Sequence, residues 1–197
     1  MSRGTTIISM AEAFPLVLTL VSFFSVIIVD AYAVSEGGNL CEPGVNKIVQ
    51  MVCNQTSSYT FCLNALYSDP RTPDADQYTV ANIAVSMAFI NATNTRRHIT
   101  DLLTDLQPSA TESALKRCCG EYDKAIAALT SAYEDLNAET FSDLAHLASM
   151  ASLAPDNCQS AFRDNLPLPP TLHPSFREFK DLCEMCEIIG KLYTGEL

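Results

Sequence analysis

Apolar residues recur at steps of three and four along most of this chain, and this period restricts the fold more than any other feature of the sequence. The first such stripe lies between Asp74 and Leu106, and Gln107-Pro108 ends it. Its members are mostly small or branched: Ala81, Ala84, Ala88, Ala92, Thr95, Ile99, Leu102 and Leu106. A second stripe starts near Ser109 and consists of Leu115, Cys118, Tyr122, Ala125, Leu129, Tyr133 and Leu136. No run of alternating β-branched residues is bounded by an Asn-Gly or Asp-Gly turn, so we predict an all-α protein.

Two further helices are predicted in the carboxyl-terminal part of the chain. One carries Phe141, Leu144, Ala148, Ala151, Cys158 and Phe162 on a single face, and Pro155 within it predicts a kink or a break. After a stiff proline-rich linker at 165–170, the other begins near His173 and carries Phe176, Phe179, Leu182, Cys186, Ile189 and Tyr193. Four amphipathic helices with mostly short connections bury their stripes best as an up-down-up-down bundle, which we expect to span residues 74–197.

Two short helices are predicted ahead of the bundle, at Val45–Cys53 and Tyr59–Ser68, joined by Asn54–Ser58. Helices this short are marginal in water on their own. A disulfide between Cys53 and Cys62 would keep them paired as a hairpin. We expect this hairpin and its extension, residues 34–73, to form one domain with the bundle.

The first 33 residues have the pattern of a signal peptide. Arg3 gives a basic start, an apolar run extends from Phe14 to Val29, and Ala31-Tyr32-Ala33 supplies an A-x-A cleavage site. The run is short and interrupted for a membrane span, which needs about 20 apolar residues. Cleavage after Ala33 would change the net charge from −11 to about −10. We therefore expect an exported, membrane-free protein whose charge disfavours nucleic acid and anionic membranes and favours a basic partner.

All eight cysteines follow the predicted cleavage site, as in a disulfide framework formed outside the cytosol. Cys118 and Cys158 lie at the same level of an antiparallel helix pair, and a bridge between them would close a loop of forty residues, worth about 4 kcal/mol. The remaining cysteines, Cys41, Cys119, Cys183 and Cys186, allow three full pairings. Because the amino-terminal segment could reach the last helix, we expect Cys41 to bridge Cys183 or Cys186 and Cys119 to be buried and unpaired.

Two glycosylation sequons agree with export, Asn54-Gln55-Thr56 and Asn91-Ala92-Thr93. In contrast, the sequence offers no catalytic or metal-binding constellation. His98, His146 and His173 lie outside any nucleophile or metal motif, and there is no glycine-rich phosphate loop. Cys183-Glu-Met-Cys186 has redox-motif spacing but lacks the βαβ context of a thioredoxin-like enzyme. We therefore predict a binding protein without catalytic residues, cofactors or metals.

Several short motifs, taken together, resemble a known family. They are Val52-Cys53-Asn54-Gln55-Thr56, Tyr59-Thr60-Phe61-Cys62 with Leu66, Ser68-Asp69-Pro70-Arg71 with Ala75-Asp76, Ala114-Leu115 with Cys118, Tyr122 and Ala125, and Cys158 with Phe162. Over about residues 45–195 the chain resembles the plant invertase and pectin methylesterase inhibitors. The resemblance implies a helical hairpin packed on a four-helix bundle. It also implies stoichiometric, non-covalent inhibition of a cell-wall or vacuolar carbohydrate-active enzyme, whose substrate cleft the inhibitor covers.

The resemblance implies a candidate contact segment for the target, formed by Glu139, Thr140, Phe141 and Asp143. Invertase inhibitors of this family often carry Pro-Lys-Phe here, and this chain keeps only the aromatic residue. Pectin methylesterase is therefore slightly favoured as the target, and acid invertase is the alternative. We expect a monomer secreted to the apoplast, with the vacuole as the other destination.

Two other classes of protein compete with the inhibitor interpretation. One is a secreted helical protein that keeps the fold and inhibits no enzyme. The other is a lipid or small-molecule carrier, because plant lipid-transfer proteins also have eight cysteines with an adjacent pair like Cys118-Cys119. Those carriers are much shorter and contain a Cys-x-Cys that is absent here. A carrier requires a continuous apolar tunnel, whereas the bundle interpretation predicts a filled core.

Overall fold

Helices form the regular structure in the computed structural model, which describes residues 44–104, 106–162 and 166–197. In chain order they are α1 (Lys47–Cys53), α2 (Tyr59–Tyr67), a 3-10 turn (Thr72–Asp74), α3 (Gln77–Leu103), α4 (Ala110–Asn137), α5 (Leu144–Ser152), α6 (Ala154–Ser160) and α7 (Leu172–Thr194). These residues contain no strand, and the all-α prediction is confirmed. The predicted signal peptide, its cleavage site after Ala33 and Cys41 lie outside the described residues.

Polar side chains fix where the long helices begin. The Asp76 carboxylate accepts a hydrogen bond from the backbone N–H of Thr79 at 2.8 Å, and the Ser109 hydroxyl accepts one from Glu112 N–H at 3.2 Å. Each satisfies a backbone donor that has no partner within its own helix. Because α3 ends at Leu103, the last residue of the predicted stripe, Leu106, lies beyond the helix and is exposed.

The helices pack in a ring of four positions. α3 packs against α4, α4 packs against both α5 and α6, α5 packs against α7, and α7 closes the ring on α3. Contacts at the helix ends give the directions. The Tyr78 hydroxyl, at the start of α3, donates to Asn137 at the end of α4 (3.3 Å), and His98 Nε2, near the end of α3, lies 3.0 Å from Thr171 Oγ1, at the start of α7. Both pairs of helices therefore run antiparallel.

The third position of the ring is broken, as Pro155 predicted. α5 ends at Ser152 and α6 begins at Ala154, with Pro155 in its first turn, where a missing N–H costs nothing. A disulfide between Cys118 and Cys158, with Cα atoms 4.4 Å apart, links α6 to α4. The broken helix therefore has a covalent link to its neighbour.

The interior of the ring is filled by the predicted stripes. Tyr122 is completely buried, and its ring centroid lies 5.8 Å from that of Phe176 and 5.5 Å from that of Phe179. At the other end of α7, Gly190 allows α5 to approach closely, because a Cβ placed there would lie 2.5 Å from the backbone nitrogen of Ala145. Bulky residues therefore fill the centre, and the absence of a side chain at Gly190 allows the close contact between α5 and α7.

The hairpin is held together by a disulfide between Cys53 and Cys62, whose Cα atoms are 5.4 Å apart. It packs on α3 and α7, and its loop is fastened to α7 because both the backbone N–H and the hydroxyl of Ser57 donate to Glu184 (3.0 and 2.6 Å). No helix of the described residues has the length and apolar character needed to cross a membrane.

The remaining described cysteines differ in environment. Cys183 and Cys186 are buried thiols on α7, and burial raises the pKa of Cys186 to about 12. Cys119, which we expected to be buried, is only half-buried because its helix turns it away from Cys118, and its sulfur lies 3.8 Å from the Thr100 hydroxyl. The predicted bridge from Cys41 to α7 lies outside the described residues and stays a prediction.

Candidate functional site

The predicted contact residues lie in the connector, Ala138–Asp143, which joins α4 to α5 at one end of the bundle. Glu139, Thr140 and Asp143 are exposed, and Phe141 is half-buried. Two of these residues adopt a left-handed backbone, with φ of 56° at Glu139 and 53° at Phe141. Such a conformation costs a non-glycine residue roughly 1–2 kcal/mol, so it persists only where surrounding contacts hold it.

Asp135, in the last turn of α4, supplies most of these contacts. Its backbone oxygen accepts from Thr140 N–H at 3.3 Å, and its carboxylate accepts from the Thr140 hydroxyl and from Asp143 N–H, the latter at 3.1 Å. A single side chain therefore bonds to the middle and to the last residue of the connector. The connector is ordered before any partner arrives.

Phe141 is held by an aromatic cluster made of Tyr78, Phe141 and Tyr193. The rings of Phe141 and Tyr193 are stacked, with centroids 4.1 Å apart and planes 1° from parallel, and Tyr78 meets Phe141 edge-on at 6.2 Å. These rings come from the start of α3, the connector and the end of α7. Phe141 therefore serves first as an internal anchor and offers only part of its ring to a partner.

A concave pocket of about 490 Å³ lies beside this cluster. It is lined by Asp76, Gln77, Tyr78, Glu139, Phe141 and Tyr193. The hydrogen bonds from Thr79 lower the pKa of Asp76, so this carboxylate stays charged in mildly acidic solution. Burial, with a smaller effect of the Asp76 charge, raises the pKa of Tyr193 and keeps its hydroxyl neutral. The pocket therefore combines aromatic faces with negative charge.

Sequence reasoning placed Glu139 and Phe141 here but missed Asp76, Tyr78 and Tyr193. Tyr193 was assigned to the core stripe of the last helix, and Asp76 appeared only as part of a family motif. Their positions near helix ends could have indicated the site, because antiparallel helices bring the start of α3, the end of α4 and the end of α7 to one end of the bundle.

The other candidate side chains do not converge on a chemical site. His146 and His173 are exposed, and His98 is paired with Thr171. Within the described ranges, no group of three His, Cys, Asp or Glu side chains is arranged to hold a metal ion. Burial raises the pKa of Cys183 well above its ordinary value, so the thiol that redox chemistry would use stays protonated within the core.

The two sequons lie in different settings. Asn54 is exposed in the hairpin loop at the end of α1, and the hydroxyl of Thr56 donates to the carbonyl of Cys53 at 2.8 Å. Asn91 is half-buried in the middle of α3, and its side-chain oxygen accepts from the Thr95 hydroxyl at 3.3 Å. Of the two predicted acceptors, Asn54 is therefore the more accessible.

A helical hairpin packed on a helical bundle, each fastened by a disulfide, with an acidic connector at one end of the bundle, defines the class of fold. The family model described as plant invertase/pectin methylesterase inhibitor matches residues 47–189. The chain belongs to this family.

Individual relatives agree with this assignment. The chain is 26% identical over 150 residues to a pectinesterase inhibitor of Actinidia deliciosa, covering 76% of this chain and 81% of that protein. It is 30% identical over 165 residues to pectinesterase inhibitor 28 of Oryza sativa subsp. japonica, covering 78% and 72%. It is 34% identical over 121 residues to cell wall / vacuolar inhibitor of fructosidase 2 of Arabidopsis thaliana, covering 59% and 65%.

Solved structures show the same fold. A mutant form of a pectin methylesterase inhibitor from Arabidopsis aligns with a TM-score of 0.65 at 19% identity, covering 73% of this chain and 95% of that one.

Proposed function

We propose that this chain is a secreted inhibitor that binds a plant pectin methylesterase non-covalently and covers its substrate cleft. Family membership supports the inhibitor class, and the relatives named as pectinesterase inhibitors support this target. The protein acts as a monomer in the apoplast, after removal of residues 1–33. It contributes surface and charge to the complex, and no catalytic group of its own.

The observation that carries the proposal is the order of the connector. An exposed loop usually loses conformational freedom when it binds, and this loss weakens association. Here Asp135 already holds Thr140 and Asp143 through their backbone N–H groups, at 3.3 and 3.1 Å, and the ring of Phe141 is stacked on that of Tyr193 at 4.1 Å. The exposed part of the connector is therefore presented to a partner with little further ordering.

The connector also favours the esterase over invertase. Thr140 lies where invertase inhibitors of the family often carry a lysine, and its hydroxyl donates to Asp135, so the cation that those inhibitors present at this position is absent. Glu139 and Asp143 add negative charge on either side. The end of the bundle therefore suits a basic surface.

Acid invertase is the second candidate target. The 34% identity to an inhibitor of fructosidase over 121 residues supports it. The carrier interpretation receives less support, because the interior of the described helices is filled by the stripes. A large concavity of about 690 Å³ lies on the surface between α2, α3 and α7. It is an open groove, whereas a carrier requires a tunnel through the core.

The test is a titration of a pectin methylesterase and an acid invertase from the same plant with the exported protein at an acidic, apoplast-like pH. Saturating loss of esterase activity at one-to-one stoichiometry, with the invertase unaffected, is the expected result. Saturating loss of invertase activity alone would replace the esterase with the second candidate. Full activity of both enzymes at micromolar protein would leave the family assignment standing and refute the inhibitor proposal.

A further inference from the structure

The pocket at the connector end is lined mainly by aromatic and acidic residues. Three of its six lining residues are aromatic, two are carboxylates, and none is basic. The rings of Phe141 and Tyr193 are fixed by stacking, and Tyr78 is fixed against Phe141 and by its hydrogen bond to Asn137. The aromatic faces therefore stay in place whether or not the pocket is filled.

The charge around the pocket points to a cation as its occupant. Asp76 and Glu139 belong to different elements, so their negative charges approach the pocket from two sides. The carboxyl ends of α4 and α7 lie at the same end of the bundle, and the partial negative charge of a helix carboxyl end adds to this field. The partial positive charge at the amino end of α3 opposes this field, but the carboxylate of Asp76 already caps that helix end. The nearby Lys191 is held by Glu187 at 2.5 Å.

We propose that this pocket receives an arginine side chain from the partner protein. The inference rests on the proposed function only in taking the partner to be the inhibited enzyme. A guanidinium is planar, so it stacks on an aromatic ring, and its fork of N–H donors can reach a carboxylate at the same time. Lysine would gain the charge interaction without the stacking. The neighbouring connector would then contact the surface from which the arginine projects.

The pocket can be tested without any enzyme. Nα-acetyl-arginine amide is titrated into the isotope-labelled protein at constant ionic strength, and the ring signals of Tyr78, Phe141 and Tyr193 are followed by NMR. We expect saturable shifts with a dissociation constant in the millimolar range. Nα-acetyl-citrulline amide has the same shape without the charge, and we expect it to shift these signals at least about tenfold less effectively.

Matched variants separate this pocket from the overall charge of the protein. The double variant Asp76→Asn, Glu139→Gln removes two charges from the pocket, and asparagine still caps a helix as well as aspartate does. The control Asp101→Asn, Glu178→Gln removes two exposed charges elsewhere, and Asp101 lies about 37 Å from Asp76 along α3. Thermal unfolding of both variants verifies that each is folded. We expect the arginine shifts to be lost in the first variant and kept in the second.

Inhibition constants measured with the enzyme then show whether the pocket is used in the complex. We expect the pocket variant to raise the inhibition constant about tenfold and the control to change it less than about threefold. Equal responses to arginine and citrulline, or equal arginine responses in both variants, would overturn the pocket. If the enzyme is inhibited and the pocket variant inhibits as well as the control, the proposal fails while the inhibitor function stands. If no enzyme is inhibited, the arginine titration alone tests whether the pocket binds an arginine side chain.

Discussion

Asn46 joins the start of the hairpin to the turn that precedes α3 through one side chain. Its oxygen accepts from the N–H of Ile48 at 2.9 Å and so caps α1, while its amide nitrogen donates to the carbonyls of Thr72 and Ala75 at 3.1 and 2.7 Å. The cap fixes the start of α1, and the two donated bonds fasten it to the turn that leads into α3. The residue therefore connects the hairpin to the bundle by hydrogen bonds.

We expect Asn46→Ala to destabilise the fold by about 2 kcal/mol, because it removes the cap and the hydrogen bonds that the side chain donates to the carbonyls of Thr72 and Ala75. Asn46→Ser serves as the control, since serine caps a helix but is too short to reach Thr72 and Ala75. Its loss of stability should be intermediate. Urea denaturation measures the free energy of unfolding, and hydrogen exchange in α1 should rise in the same order. Equal stability of all three proteins would contradict this role.

Glycosylation should occur at Asn54 and be absent at Asn91. The Asn54 side chain is exposed in a loop, whereas Asn91 is half-buried within a helix and bonded to Thr95. A glycan at Asn91 would have to leave through the groove beside α3, next to packed side chains. We expect Asn54→Gln to abolish the mass lost on glycosidase treatment of the exported protein. Asn91→Gln should leave that loss unchanged, and the reverse pattern would refute the assignment.

At the scale of the helices, the apolar period predicted most of what the structure contains. The stripe of α4 is buried from Leu115 to Leu136 except at Tyr133, which is half-buried, and Pro155 marked the break between α5 and α6. The end of α3 was predicted too late, because Leu106 continues the period but the residues before Pro108 leave the helix. Periodicity reports which residues face a core, and it carries less information about where the backbone ends its hydrogen bonds.

The approach of α5 to α7 gives a prediction with a built-in control. Gly190→Ala would place a Cβ 2.5 Å from Ala145 N, which is backbone and can yield only if the helices separate. We expect a loss of about 1–3 kcal/mol from this overpacking. Gly120→Ala, in the interior of α4 with nothing within 4 Å of the new Cβ, should instead stabilise by about 0.5–1 kcal/mol. Urea denaturation of both variants measures the two effects, and a neutral Gly190→Ala would show that this contact is loose.

At the scale of the whole molecule, the candidate site was only partly predictable. The family resemblance indicated Glu139–Asp143, since motif positions can be matched along the sequence. The pocket was not predictable, because Asp76, Glu139 and Tyr193 are distant in sequence and meet only once the antiparallel helices are aligned. The stacking of Phe141 on Tyr193 could not be predicted from the sequence for a related reason. A ring at a stripe position indicates burial and does not reveal which other ring it contacts.

The net charge should control how fast the complex forms more than how long it lasts. With a net charge of −11, or about −10 if residues 1–33 are removed as predicted, encounter with a basic enzyme is accelerated at long range, and salt screens this attraction over about 10 Å at 0.1 M. Raising the salt from about 50 to 300 mM should lower the association rate constant roughly tenfold and change the dissociation rate constant little. Surface plasmon resonance on an immobilised basic target measures both rates.

The control variant Asp101→Asn, Glu178→Gln should flatten the salt dependence of association with dissociation unchanged, whereas Asp76→Asn, Glu139→Gln should also speed dissociation. A dissociation rate that follows salt while association does not would mean that the charges act within the interface and contribute nothing to encounter.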